Sequence, residues 1–279
     1  MITTLDRRQF IHSFCVAAAI DILTGKRLVG ATKPSAAFTL GLGTYTFRSQ
    51  DIDGLIERCR ALKLNTIELS HPQFMLPQAD LNTFAATRKK LNIGGVELRS
   101  WFCGDLTKSS EVERLVEGVH LLGVKMVSGS ATRELLDSVD AACSSAGFRF
   151  GIHNHYFPNR KFLYESPDDV LAALNGHSSL FSTFDTGHMI ACGFDPTEAY
   201  EKLKSHVRII HLKDEDKPGH GVVMGKGTGN MAEFLRTISK ARFNGLAAIE
   251  FEEGTDPRAE VSECISYIRD RISLNTSDA

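Results

Sequence analysis

The sequence predicts an α/β fold, a closed (β/α)8 TIM barrel, and three observations predict it. Short β-rich runs alternate with helical patterns eight times from residue 37 onward. No internal repeat or low-complexity linker splits that stretch. Imidazoles and carboxylates gather where the later strands stop, and that end of such a barrel carries its chemistry. Alternating strands and helices make parallel βαβ units, and eight of them tilt shut around a side-chain-filled interior. An open doubly wound sheet is the alternative. It needs a Gly-rich turn after its first strand, whereas Gly41 and Gly43 lie inside the strand expected here.

The first strand is expected at 38–45. Asp51 then offers a cap for a helix carrying Leu55, Ile56, Cys59 and Leu62 at helical spacing. Residues 66–69 read as the second strand and 81–91 as the second helix. The third strand is expected at 95–98. Ser109 or Ser110 caps the next helix, with Val112, Leu115, Val116, Val119 and Leu122 on one face. A fourth strand at 124–127 leads to a helix over 132–146, which Gly147 ends. Strand five is expected at 148–152, and Ser166-Pro167 opens the fifth helix with Pro at its favoured first position. Strand six spans 180–184, and Asp195-Pro196 opens its helix. Strand seven covers 207–212 and its helix 231–241. Strand eight covers 246–251 and the last helix 257–272.

One barrel accounts for a chain of 279 residues. A core of that size needs no disulfide or metal staple. The formal net charge of −2 argues against nucleic acid as a partner. Six scattered cysteines contain no Cys-x-x-Cys pair, so they read as buried thiols rather than as a zinc or redox motif.

Residues 1–36 read as a signal and linker, and 37–279 as the barrel domain. Asp6-Arg7-Arg8-Gln9-Phe10-Ile11 resembles the twin-arginine export motif. The apolar stretch after it, 10–23, is interrupted by His12 and Asp21 and is too short and polar to span a bilayer. An ordinary amphipathic helix is the alternative. Export of the folded protein to the periplasm or beyond is expected, with no stable membrane insertion after processing. If the signal does not function, the protein stays cytoplasmic. Replacing Arg7 and Arg8 with Lys tests this: unchanged export rejects it.

The chemistry-bearing residues fall at strand ends. His153 and His155 end strand five, Asp185 and His188 strand six, His211, Lys213 and Asp214 strand seven, and Glu250 and Glu252 strand eight. Each alone has a plain structural explanation: a satisfied core histidine, a helix cap, an arginine partner. Together they place ligand types at one level on four consecutive strands. A mixed nitrogen and oxygen set suits Mn2+, Zn2+, Co2+ or Fe2+, with Mg2+ a further candidate, and is too nitrogen-rich for Ca2+.

Phe184-Asp185-Thr186-Gly187-His188, His211-Leu212-Lys213-Asp214 and Ala248-Ile249-Glu250 resemble the xylose isomerase-like barrel superfamily, within it the sugar phosphate isomerase/epimerase group. The likeness covers residues 37–273. It implies that His153, Asp185, His211 and Glu250 bind a divalent metal and that His188 touches substrate. It also places Lys217 near a substrate-binding Arg of the ketose epimerases, and His155 beside the substrate. One departure matters. Ile152-His153-Asn154-His155 stands where those epimerases carry a glutamate, so their two-glutamate mechanism does not transfer intact.

The resemblance implies a metal-dependent sugar isomerase or epimerase working through an enediolate, with Glu250 as general base and His153 or His188 handling the second proton. A lyase or hydrolase on keto-sugars or keto-glycosides is the alternative that His153 favours. A catalytically inactive sugar-binding barrel is the third. A related endonuclease branch has a richer His/Glu set and a basic surface, which this chain lacks. The partner is a small sugar, and a homo-oligomer is compatible with the sequence. Gly225-Lys226-Gly227-Thr228-Gly229 reads as a tight turn or lid rather than a phosphate cradle. Glu68, His71, Glu97 and Trp101 are expected to end strands two and three. Glu68 is then expected to contact substrate and Trp101 to stack on a sugar face, with barrel-mouth packing as the alternative.

Overall fold

A computed structural model describes residues 37–272. The twin-arginine motif, Arg7 and Arg8 included, lies outside the described residues. Eight parallel strands close into a barrel: β1 Thr39–Gly43, β2 Thr66–Leu69, β3 Glu97–Leu106, β4 Met126–Ala131, β5 Arg149–His153, β6 Leu180–Asp185, β7 Val207–Leu212 and, last in the chain, β10 Leu246–Ile249. Around the ring β10 sits between β1 and β7, so the last strand pairs with the first and leaves no free edge. Between β7 and β10 the chain also folds a small antiparallel hairpin, β8 Asp214–Lys217 and β9 His220–Val222, which the sequence reading did not foresee. Among the described residues no helix is long and apolar enough to cross a membrane.

The helices start where capping chemistry starts them. Asp51 accepts a hydrogen bond from the Gly54 amide and opens α1 Ile52–Leu62. Ser166 and Asp169 form a capping box ahead of α5 Pro167–Leu174. Asp195 caps α7 Pro196–Leu203. Helix α2 is Phe84–Ile93 and α3 is Ser109–Leu122. Neither Ser109 nor Ser110 caps α3: Glu111 reaches back to the Lys108 amide at 3.0 Å and to Thr107 instead. Helix α4, Leu136–Ala146, begins after a short 3-10 turn and ends at Gly147, whose φ of 70° is left-handed. A six-residue helix, α6 Thr186–Ala191, follows β6 directly. Helix α8 is Met231–Lys240 and α9 is Arg258–Arg271.

The main apolar core fills the layer between barrel and helices. A second, smaller cluster of Phe181, Ile209, Leu246 and Ala248 lies inside the barrel. Strand alternation then dictates what stands above that plug. Two residues beyond Phe181 comes Thr183, then Asp185. Two beyond Ile209 comes His211, and two beyond Ala248 comes Glu250. The sequence order apolar, polar, ligand thus becomes a vertical order along the barrel axis.

The third strand corrects the sequence reading most. It was expected to stop at residue 98 but runs from Glu97 to Leu106. Glu97 therefore begins the strand at the opposite end from the mouth, half the barrel away from the site, and pairs with Arg99 at 2.8 Å on the surface.

Candidate metal and sugar site

Register sets the floor of the site. Asp185 lies opposite His211, and His211 opposite Ala248, one inward position below Glu250. Glu250 follows β10 directly and its amide donates to the Leu212 carbonyl at 3.2 Å. Its side chain occupies room that a side chain on Gly43 would deny. A Cβ there would lie 2.3 Å from the Glu250 Cγ and Oε1.

His153, Asp185 and Glu250 gather about His211. His211 Nδ1 is 3.4 Å from Asp185 Oδ2 and 3.5 Å from Glu250 Oε2. His153 Nε2 is 3.5 Å from the same Asp185 oxygen. All four residues are buried. Both ring nitrogens of His153 and Nδ1 of His211 are buried without a hydrogen-bond partner. Buried polar atoms are seldom left so, and here they face one another. Donor atoms bound to one ion at ~2.1 Å lie roughly 3.0–3.4 Å apart, close to the spacings seen. The ligand atoms of His153, Asp185 and His211 all lie within 4.8 Å of one another, as do those of Glu68, His211 and Glu250. The residues fit a divalent cation.

The electrostatics agree. Burial works against charge on Asp185, but the Lys213 ammonium beside it opposes burial, and the carboxyl is held well below the usual range. Burial likewise disfavours a proton on His211, yet Glu250 and Glu68 raise its imidazole well above the ordinary value. The excess of negative charge that favours that proton also favours a cation beside it.

Lys213 belongs to this centre, although the sequence reading gave it no role. Its ammonium is 3.1 Å from Asp185 Oδ2, 3.1 Å from Glu250 Oε2 and 3.4 Å from His188 Nε2, and it pairs with Glu252. Burial opposes its charge, but Asp185, Glu252 and Glu250 hold the ammonium well above the ordinary lysine range. The signal was available: Lys213 lies two residues beyond His211, on the same inward face. His188 and His155 pack with tilted rings, centroids 4.0 Å apart, on the other side. Burial keeps both neutral, pushing His155 down to about 3, with His153 and Lys213 adding to the effect. It holds His188 well below its normal value against the pull of Asp185.

Three expected substrate contacts do not line the mouth. Glu68 is fully buried beneath the mouth rather than facing a sugar. It bonds His211 Nε2, and accepts from Ser100 and Ser128 at 2.9 and 2.6 Å. A carboxylate there fixes the ring so that Nδ1 faces Asp185 and Glu250. Trp101 cannot stack on a sugar, because it points out of the barrel at 0% exposure. Its ring packs edge-on against Phe84, 5.3 Å away, and its indole N–H donates to the Phe74 carbonyl at 2.8 Å. Lys217 sits exposed in the hairpin and lines neither cavity at the mouth. His71, held by the Gln50 carbonyl at 3.0 Å, caps a 3-10 turn.

The Gly-rich loop is a closed turn. The amides of Gly225, Gly227 and Gly229 donate to the Asp214 carboxylate at 2.8, 3.0 and 3.2 Å. Glu215, next in β8, accepts from the Gly219 amide at 2.8 Å, and burial lifts its carboxyl to about 7. A cavity of about 700 Å3 opens above the convergent residues, with a smaller one of about 300 Å3 beside the hairpin.

The fold recurs in solved structures. The probable 3-DHS dehydratase AsbF of Bacillus anthracis is 15% identical, with 84% of this chain and 100% of that chain covered and a TM-score of 0.67. The 3-keto-D-glucoside 4-epimerase YcjR of E. coli is 12% identical, with 84% and 99% covered and a TM-score of 0.67. D-psicose 3-epimerase of Clostridium cellulolyticum H10, solved with D-tagatose, is 13% identical, with 84% and 99% covered and a TM-score of 0.64. At such identities the likeness is one of fold. A comparison with curated proteins finds no match to this sequence. The family described as xylose isomerase-like TIM barrel matches residues 46–271. On that match, and on the barrel it describes, this chain belongs to the xylose isomerase-like TIM barrel family.

Proposed function

We propose that the protein is a divalent-metal-dependent sugar isomerase or epimerase acting through an enediolate of its substrate. The observation that supports this reading is the gathering of His153, Asp185, His211 and Glu250 at the floor of the mouth cavity, with buried ring nitrogens of His153 and His211 that lack a hydrogen-bond partner. When bound there, a divalent cation supplies Lewis-acid polarisation of the sugar carbonyl, which acidifies the neighbouring C–H.

The chain's own residues do the rest. Glu250 removes that proton, and the C–H electron pair enters the new C=C bond. Ser70 Oγ, 3.4 Å from Glu250 Oε1, orients the base. The Lys213 ammonium lies where negative charge grows on the sugar oxygens and stabilises it. His188, neutral because it is buried, moves the hydroxyl proton, and His153 or His188 returns a proton to carbon. Return to the opposite face of the same carbon gives the epimer, and return to the adjacent carbon gives the isomer.

A lyase is the second reading, favoured by His153 standing where ketose epimerases carry a glutamate. A leaving group β to the carbonyl would then depart from the same enediolate. The test is metal analysis of the purified protein, then deuterium uptake from D2O into a panel of ketoses and keto-glycosides. Exchange without elimination supports the isomerase, and elimination the lyase. Near-normal exchange by Glu250→Gln overturns both.

A further inference from the structure

Lys213 and a divalent cation claim the same two oxygens. The Lys213 ammonium stands 3.1 Å from Asp185 Oδ2 and 3.1 Å from Glu250 Oε2. These are the atoms that His211 Nδ1 faces at 3.4 and 3.5 Å. A cation held there by His211 would share both carboxylate oxygens with the ammonium. An oxygen that neutralises a lysine has less charge to offer a metal, and two cations on one oxygen repel. Lys213 is 8% exposed and Asp185 0%, so salt and water screen that repulsion little.

The lysine has a second place to go. Its ammonium also pairs with Glu252 and lies 3.4 Å from His188 Nε2. Neither residue belongs to the ligand set. The Glu252 side chain is 39% exposed, and both Lys213 and Glu252 line the two cavities at the mouth. Turning the flexible four-carbon stem moves the ammonium into open space beside a carboxylate and leaves the packed core alone. The backbone stays fixed meanwhile. The Lys213 amide donates to Thr186 Oγ1 at 2.9 Å, and the Thr186 hydroxyl donates to the Lys213 carbonyl at 2.6 Å.

We propose that Lys213 is a tethered counter-ion that sets metal affinity and favours divalent over monovalent ions. It neutralises Asp185 and Glu250 with a single charge, and it yields their oxygens by turning to Glu252 when an ion of twice that charge arrives. The displaced ammonium remains at the mouth, between Glu252 and His188, where the oxygens of a substrate enter. The proposal rests on the metal-centre reading given above and adds to it the residue that opposes binding.

The test challenges the Mn2+-loaded full-length protein with a graded chelator and reads the metal retained. Lys213→Met keeps the length of the side chain and removes its charge. It is expected to hold Mn2+ about tenfold more tightly than the unsubstituted protein. Lys213→Gln, which keeps a hydrogen-bond donor, carries the same expectation if the Met variant does not fold. Glu252→Gln lies on a part-exposed residue and removes the destination of the lysine. It is expected to weaken Mn2+ retention about threefold on its own, and to change it by about twofold or less beside Lys213→Met, where no charge is left to displace. Equal or weaker retention by the Lys213 variant overturns the proposal, as does an equal effect of Glu252→Gln in both backgrounds. The two readings separate in the unsubstituted protein. If it retains Mn2+ and the Lys213 variant gains nothing, the counter-ion alone is sunk. If neither retains Mn2+, the metal centre falls and the counter-ion with it.

Discussion

The two sides of the barrel mouth are built differently. From β5 round to β10, every group at the centre stands on or directly after a strand, and ladder register sets its position. From β2 to β3, the mouth is lined by a loop that main-chain hydrogen bonds and an indole tie down. The difference follows what each side has to do. Ionised groups that share a centre need spacing held to fractions of an ångström, which strands supply. A cavity wall needs only shape, which a pinned loop supplies.

Substitutions can break that contrast. The largest effect is expected from Glu250→Gln, which keeps the side chain's volume but removes the base. Exchange should fall by about 10^2- to 10^4-fold, with the thermal unfolding midpoint nearly unchanged. Glu68→Gln should come next. It removes the carboxylate that orients His211, and metal affinity, measured with a competing chelator, should weaken by about 10- to 100-fold. An unchanged affinity would mean that His211 is held by its strand alone. On the other side, Trp101→Phe leaves the Phe74 carbonyl without its buried donor. A loss of about 1–3 kcal/mol in denaturant unfolding is expected, with metal affinity unaltered. If metal binding fell with it, the two sides would not be independent.

The smallest effect sharpens the contrast through pH. Burial raises the Glu215 carboxyl to about 7 in the folded chain, above its unfolded value. The stability linked to this group is therefore complete at pH below that unfolded value and is lost as pH rises through about 7. Glu215→Gln removes the cost of ionising the group. It should raise the unfolding midpoint at pH 8 and change it little at pH 5. An equal change at both values would show that ionisation is not involved.

How much the sequence revealed divides along the same line. The barrel was legible because eight strand-helix units each carry their own periodicity and caps. His153, Asp185, His211 and Glu250 were legible as a group because they end consecutive strands. Lys213 stood among them unassigned, although its inward face follows from its distance to His211. Trp101 and Glu97 were misread for a common reason. The third strand extends well beyond its apolar start, so residues taken as its end lie within it. Side-chain direction in a strand depends on counting from the right place. The loop wall on the β2–β3 side was not legible at all. Met75, Leu76 and Pro77 sit in a stretch with no regular period, and only bonds to distant carbonyls bring them to the mouth.

The loop after β7 turns three of its amides inward. Phosphate-binding turns offer converging amides to an anion that arrives from solution. Here three glycine amides already converge, and the anion they hold is the chain's own Asp214. The carboxylate is a covalently tethered stand-in for a phosphate. Those three amides are spent within the fold, and the loop is closed by its own anion.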